Sequence, residues 1–401
     1  MIFVKIMTLL IATSLSVRCV RVVSRKYLSM TATQDWSPSS SLIGKSLVFL
    51  GTPNVAATVL EVLHKDSLEK GYKVSAVVTQ PPAKSGRKRI LTKSPVHQTA
   101  EALSLAPVLH PEKANDPEFL AQLEAMKPDL CITAAYGNYL PKRFLALPKF
   151  GTINIHPSLL PRFRGAAPVQ RCLEAGDAES GVTILETVTK MDAGDILYQH
   201  RCKLTGNEKS TEFLADMFAV GAKELVSILP SIFDGSITRS IQDESLVTLA
   251  PKLAVEDARL DFAELNARTA HNRVRGFADW PGTWTEFCIV NKATKEVVES
   301  GVRMKVVTTR LLDPKPLDDS SSSSDSRLCI LEKHPEHGFL LRVTCSDGST
   351  LGITEVLPPA RKVMGVRDYM NGLKGNELLW TSPAPDKPVG DAAEGGGGGS
   401  E

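Results

Sequence analysis

Asn154 and His156 stand two positions apart in the run TINIHPSLLP, and Asp192 and Asp195 flank Gly194 in KMDAGDIL. An amide, an imidazole and a carboxylate are the parts of an acyl-transfer site. The amide can donate to an oxygen that gains negative charge, the imidazole can move a proton, and the carboxylate can stabilise the imidazolium. Ser158 follows at once, but without the GxSxG setting that turns a serine into a nucleophile. With no serine or cysteine nucleophile beside the histidine, the set points to direct transfer between two bound substrates. Taken singly, each residue also has a plainer role: a hydrogen-bonded core asparagine, a satisfied core histidine, an Asp-Gly turn.

These side chains need elements that bring them together. Two-residue spacing sends Asn154 and His156 off one face of a strand, and TINIH reads as that strand, with His156 at its carboxyl end, where open α/β sheets bind ligands. VTILETV from Val182 is a further strand, and the turn after it delivers Asp192 and Asp195. KSLVFLGTPNVAATVLEVLHK from Lys45 reads as a strand over Leu47–Leu50, a Gly-Thr-Pro turn and an amphipathic helix. VSAVVTQ and DLCITAAYG add strands, and Asp116–Met126 and Ser210–Phe233 add helices. The alternation predicts an α/β fold, a Rossmann-like mostly parallel sheet. Its first turn, GTPNVAA, is not GxGxxG: Pro53 and Asn54 stand where a pyrophosphate needs close backbone approach, so no dinucleotide is expected.

Past Asp234-Gly235 the texture changes to short β-rich runs, TWTEFCIV, VRMKVVTT, LCILEK, FLLRVTC and TLGITEV, which predict a small OB-like β-barrel. The expected organisation is a transit peptide over 1–44, a catalytic domain over 45–235, a linker over 236–250, the barrel over 251–375 and a disordered tail over 376–401. Ser320–Ser324 reads as a solvated insertion.

Composition narrows the rest. The chain has 401 residues, enough for two cores. Its 47 Lys and Arg nearly balance 45 Asp and Glu, so any polyanionic partner must be met by a local patch. The seven cysteines are scattered, with no CxxC pair and no zinc spacing; reduced intracellular thiols are expected, and no metal. No acid precedes Asp35, whereas Lys5, Arg18, Arg21, Arg25 and Lys26 are basic, and the uncharged run Ile6–Val17 is too short to span a bilayer. That pattern predicts an organelle presequence for the mitochondrion, with a bipartite plastid signal as the alternative. No membrane association is expected of the rest.

The local patch is QPPAKSGRKRILTKSP, where Lys84, Arg87, Lys88, Arg89 and Lys93 occur without an acid. Prolines at both ends and Gly86 inside make it a loop, placed to meet a phosphate backbone. Arg361 and Lys362 are the best basic pair in the barrel. Arg162 and Arg164 could face either substrate or simply be surface charges. Trp280 and Trp284, around Pro281, could stack on RNA but fit barrel packing better.

NIHPSLLPRFRGAAPVQRCLEAGD together with GVTILETVTKMDAGDIL resembles the folate-dependent formyltransferases. VFLGTPNVAA, VVTQPPAKSGRKRILTKSPV, AAYGNYLPKRFL, VRGFADWPGTW and LPPARKVM extend the likeness, over about Lys45 to Lys374, to those members that act on methionyl-tRNA. The resemblance implies that Asn154, His156 and Asp192 are the catalytic trio. It implies 10-formyltetrahydrofolate as formyl donor, held by Ser158, Leu159, Leu160 and Pro161. The backbone from Tyr136 through Gly137 and Leu140 to Pro141, with the loop Met191–Asp195, would line the pterin pocket. Initiator methionyl-tRNA would be the acceptor and formylmethionyl-tRNA the product, with Gly86-Arg87 entering the acceptor stem and a monomer as the working unit. The chain departs from the family's common bacterial pattern at Lys84-Ser85 and at Lys88-Arg89-Ile90. Two rivals stand beside this reading: the same trio acting on a small amine or water, and a non-catalytic RNA-binding module. The basic loop and second domain argue against the first, the complete trio against the second.

Overall fold

The computed structural model describes residues 41–86, 89–313 and 326–382. The expected transit peptide up to residue 40, Arg87, Lys88, Ser320–Ser324 and the chain from 383 onward lie outside the described residues.

The apolar run SLVFLG forms β1 (Ser46–Gly51), followed by α1 (Asn54–Lys70) and β2 (Lys73–Val78). A small hairpin, β3 (Ala83–Ser85) and β4 (Ile90–Thr92), precedes α2 (Pro95–Ala102), β5 (Val108–Leu109) and α3 (Pro117–Met126). Then come β6 (Leu130–Ala134), α4 (Lys142–Leu145), β7 (Thr152–His156), α5 (Pro168–Ala175), β8 (Glu179–Glu186), β9 (Ile196–Lys203) and α6 (Ser210–Asp234). Local chemistry starts two of the helices. Ser94 Oγ accepts from His97 N (3.1 Å) before α2, Asp116 Oδ1 accepts from Phe119 N (2.8 Å) before α3, and a proline opens each helix.

The large sheet has seven strands in the order β5-β2-β1-β6-β7-β8-β9. It is parallel from β5 to β7, and β8 and β9 then run antiparallel. Alternation divides its strands between two cores. Leu47, Phe49, Ile153 and Ile155 pack with α1 and α6, while Val48 and Leu50 pack with Phe119, Leu123 and Phe144 of α3 and α4. Burying each of these side chains contributes ~1.5–3 kcal/mol. Because Ile153 and Ile155 face α6, Asn154 and His156 leave the opposite face. Gly221 lets α6 lie tight under the strand: a Cβ there would come within 2.7 Å of Ile155 Cγ2 and 3.0 Å of Val182 Cγ2.

The second domain holds α7 (Ala267–Gly276), β10 (Trp284–Val290), β11 (Val297–Leu311), β12 (Leu328–His334), β13 (Gly338–Thr344), β14 (Thr350–Leu357), β15 (Met364–Gly365), α8 (Val366–Gly372) and β16 (Glu377–Thr381). Antiparallel pairing runs β11-β10-β16-β12-β13-β14, and β14 pairs back onto β11, so these strands close a barrel around Phe287, Leu341, Ile353 and Leu378. His271 of α7 joins the domains, with Nδ1 and Thr309 Oγ1 at 2.8 Å and Nε2 and Gly206 O at 2.9 Å.

One expected boundary is corrected. The tail does not begin at 376: ELLWT is β16, inserted between β10 and β12, and its alternation buries Leu378 and Trp380. The segment 236–250, expected as the linker, is fastened to the first domain. Its polar sequence has no periodicity, yet its backbone pairs with the first domain at Ile196–Ser240 and Arg164–Leu249.

Candidate active site

β7 registers Asn154 beside Thr133 of β6 on one side and His156 beside Thr183 of β8 on the other. Thr133 Oγ1 donates to Asn154 Oδ1 (2.8 Å) and lies 3.1 Å from the Ile153 carbonyl. With Thr133 on its oxygen, the Asn154 amide keeps its N–H groups as the part that can donate to an oxyanion. His156 is 4% exposed. Its Nε2 lies 2.9 Å from the Phe163 carbonyl, which can only accept, so Nε2 carries the proton of the neutral ring. The basic nitrogen is therefore Nδ1, and Asp192 Oδ2 stands 3.7 Å from it. The Phe163 carbonyl fixes one ring nitrogen, and Asp192 faces the other.

The loop carrying Asp192 starts at the other end of β7, where Thr187 N donates to Thr152 O (2.7 Å), and comes back to His156. Gly165 N donates to Asp192 Oδ2 (2.9 Å), and Asp192 itself takes a left-handed φ of 50°. Gly194 is required by close approach, since a Cβ there would fall 1.8 Å from Glu186 O. Two side chains that sequence reasoning left without a role complete the support. Gln242, from the segment read as linker, donates to the carbonyls of Asp192 (2.8 Å) and Gly194 (2.7 Å). Arg164, 4% exposed, donates to Gln242 Oε1 (2.8 and 3.1 Å) and pairs with Glu244 (2.9 Å). Nothing in the local sequence around Thr133 or Gln242 marks either one.

The turn after β7 is internally bonded. Ser158 is fully buried, its hydroxyl donating to Arg162 O (3.0 Å) and its carbonyl accepting from Thr183 Oγ1 (2.7 Å). Leu160 N donates to Thr183 Oγ1 (3.2 Å), and Gln199 Nε2 donates to Leu160 O (2.8 Å). Ser158 thus shapes the turn, while Leu159 and Pro161 are its partly exposed members. After β6, Tyr136 and Leu140 are buried and Gly137 is exposed with φ 91°. The Tyr136 carbonyl accepts from Thr52 Oγ1 (2.8 Å), which ties this segment to the turn after β1.

The basic loop is the β3–β4 hairpin, its base closed by Thr79 and Ser94 hydroxyls 2.7 Å apart. Lys84, Arg89, Ile90 and Leu91 are exposed. Lys93 is ion-paired with Glu101 of α2. Arg361 and Lys362 are exposed on the barrel, between β14 and β15. Arg162 pairs with Asp177, with Nη2 and Oδ1 3.1 Å apart. Trp284 is buried under the Arg303 guanidinium, 3.6 Å above its ring, whereas Trp280 is half exposed. Six cysteines are free among the described residues, and burial pushes the Cys172 thiol up to about 11 and the Cys345 thiol up to about 12. Such thiols stay protonated and make poor nucleophiles. Among the described residues no group of His, Cys, Asp and Glu is placed to hold a metal ion, and no helix is long and apolar enough to cross a membrane.

Residues 45–229 match the formyl transferase family, and residues 252–374 match the formyl transferase C-terminal domain. Methionyl-tRNA formyltransferase of Lactobacillus johnsonii is 37% identical over 82% of this chain and 95% of its own length. The methionyl-tRNA formyltransferase of Methylococcus capsulatus is 37% identical over 83% and 99%. In fold alone, the chain resembles an N-formyltransferase from Helicobacter canadensis solved with folinic acid and dTDP-3-aminofucose. That likeness has a TM-score of 0.54 and 15% identity, over 79% of this chain and 100% of that one. With both domains matched and relatives of this identity spanning nearly their whole length, the chain belongs to the methionyl-tRNA formyltransferase family.

Proposed function

We propose that this chain transfers the formyl group of 10-formyltetrahydrofolate to the α-amino group of methionyl-tRNA, without a covalent enzyme intermediate. The observation that carries the reading is the placement of Asn154 and His156 on one face of a strand with Asp192 opposite His156 Nδ1.

The folate supplies a formyl group on nitrogen, activated for transfer. The donor set fits it: the irregular backbone at Gly137–Leu140, and the groups of Met191–Asp195 that Gln242 does not engage, would pair with a pterin's amide edge, and Leu159 and Pro161 add apolar surface. Asn154 Nδ2 donates to the formyl oxygen as it gains charge. The amine nitrogen forms the new C–N bond, His156 Nδ1 takes the proton that the amine loses, and the same proton leaves with the departing folate nitrogen. Asp192 stabilises the imidazolium between those two events, and Phe163 O holds its other N–H. On the β3–β4 hairpin, Lys84 and Arg89, with Arg87 and Lys88, meet acceptor-arm phosphates; Arg361 and Lys362 add further phosphate partners from the barrel.

Incubation of the protein with 10-formyltetrahydrofolate and either charged methionyl-tRNA or free methionine tests this. Formylation of the charged tRNA alone is expected; equal use of the free amine, or hydrolysis without acceptor, would replace the reading by the small-substrate rival.

The acid-free, arginine-bearing residues 1–34 support a further proposal, that the chain is directed to the mitochondrion and serves translation initiation there. A fluorescent reporter fused to residues 1–44 should enter mitochondria; plastid import would substitute the other organelle. We also propose a monomer, which light scattering checks.

A further inference from the structure

The carboxylate of Asp192 is held by one backbone N–H, that of Gly165 at 2.9 Å, but its loop is gripped from residues far along the chain. Gln242 is 6% exposed, and every polar group of its side chain is engaged. Its two amide N–H groups reach the carbonyls of Asp192 and Gly194, at 2.8 and 2.7 Å, on both sides of Ala193. Its Oε1 receives Nε and Nη2 of Arg164, at 3.1 and 2.8 Å. Arg164 in turn belongs to the turn that supplies Phe163 O to His156. One amide therefore couples the turn that orients the imidazole to the loop that presents the carboxylate.

We propose that Gln242 is a positioning residue for the transfer reaction: anchored on Arg164, it clamps the loop 191–194 and so sets Asp192 opposite His156 Nδ1. This assignment rests on the functional reading above. The clamp acts at an irregular point of the chain, since Asp192 has a left-handed φ of 50°, a conformation that aspartate tolerates better than most residues. Only an amide fits the position. A glutamate would still accept from Arg164 but could not donate to two carbonyls, and a leucine could do neither. A second tie lies at the exposed rim, where Glu244 bridges Arg164 (2.9 Å) and Lys190 (2.7 Å). Glu244 and Lys190 are exposed, so solvent screens their side of this tie and it cannot replace the buried amide.

The test uses the whole chain carrying Gln242→Glu, labelled with 15N-glycine, because the Gly165 amide reports directly on the Asp192 carboxylate. In the variant the Gly165 resonance should move to its position in Asp192→Ala, where that hydrogen bond is gone. Formyl transfer should lose ~10-fold in kcat with KM for both substrates nearly unchanged, as expected of misplacement rather than weakened binding. Should Gln242→Glu fail to fold, Arg164→Lys loosens the same anchor and is read by the same resonance. A Gly165 resonance and kcat at wild-type values in either folded variant would overturn the clamp. A wild-type protein that does not formylate methionyl-tRNA would instead overturn the functional reading, and the Gly165 resonance would still decide the clamp.

Discussion

The Asp192 loop and the β3–β4 hairpin are both irregular excursions from the same sheet, and they are secured in opposite ways. Gly165, Gln242 and the Lys190–Glu244 ion pair hold the first along its length. The second is closed at its base by Thr79 and Ser94, and beyond that base Lys84, Arg89, Ile90 and Leu91 stand in solvent. The two glycines make the contrast concrete. A Cβ on Gly194 would collide with a backbone oxygen at 1.8 Å, whereas one on Gly86 would meet nothing within 4 Å. A group that must stabilise a developing charge gains from being fixed beforehand. A group that must find a phosphate backbone gains from reach, and its Coulomb attraction tolerates imperfect placement.

Removing the fixed chemistry should have the largest effect. His156→Ala and Asp192→Ala should each cut formyl transfer ~10²-fold or more with the melting temperature retained, measured as kcat under saturating substrates. Gly194→Ala should displace the pinned loop, costing ~1–3 kcal/mol in denaturant unfolding and part of the activity. Gly86→Ala should cost only ~1 kcal/mol or less, because its φ of 69° is strained for alanine but its surroundings are open. Equal costs at the two glycines would erase the contrast. On the hairpin, Arg87→Ala, and Lys84→Ala with Arg89→Ala, should raise KM for the tRNA with kcat kept. The salt slope should fall by ~1 for each phosphate that is no longer neutralised. A fall in kcat at saturating tRNA would show the hairpin to be fixed machinery too.

The smallest effect concerns the joint between the domains. Burial lowers the His271 imidazole below its ordinary value of 6.5. The unfolded chain therefore binds a proton there more readily than the folded one does. The contribution to stability is present above about 6.5 and is lost as pH falls below it. Melting temperature should decline from pH 7 toward ~5.5, and His271→Gln should flatten that decline. An identical slope in the variant would remove His271 as its source.

Much of the candidate site's geometry was legible because its first two members lie on one strand. The spacing of Asn154 and His156 put them on one face, and the apolar positions between and before them identified the strand and its buried side. Asp192 was found from its Asp-Gly turn and from family likeness. The support was not legible. Thr133 looks like any buried strand threonine, Arg164 like a surface charge, and Gln242 like a polar residue in a linker. β16 was missed for a similar reason: a five-residue alternation lies next to a Pro- and Gly-rich tail whose composition dominates the region.

By itself the sequence determined the α/β and barrel classes and the strand bearing Asn154 and His156. Each of these follows from local periodicity and turn chemistry, which a few neighbouring residues specify. Only the tertiary structure decided which nitrogen of His156 meets the Phe163 carbonyl, where Asp192 stands, and that the apparent linker holds the Asp192 loop. Those depend on hydrogen bonds such as Gln242 to Asp192 and Arg164 to Gln242, between residues 50 and 78 positions apart. No periodicity encodes such pairs; they exist once burial has brought donors and acceptors together and left each in need of a partner.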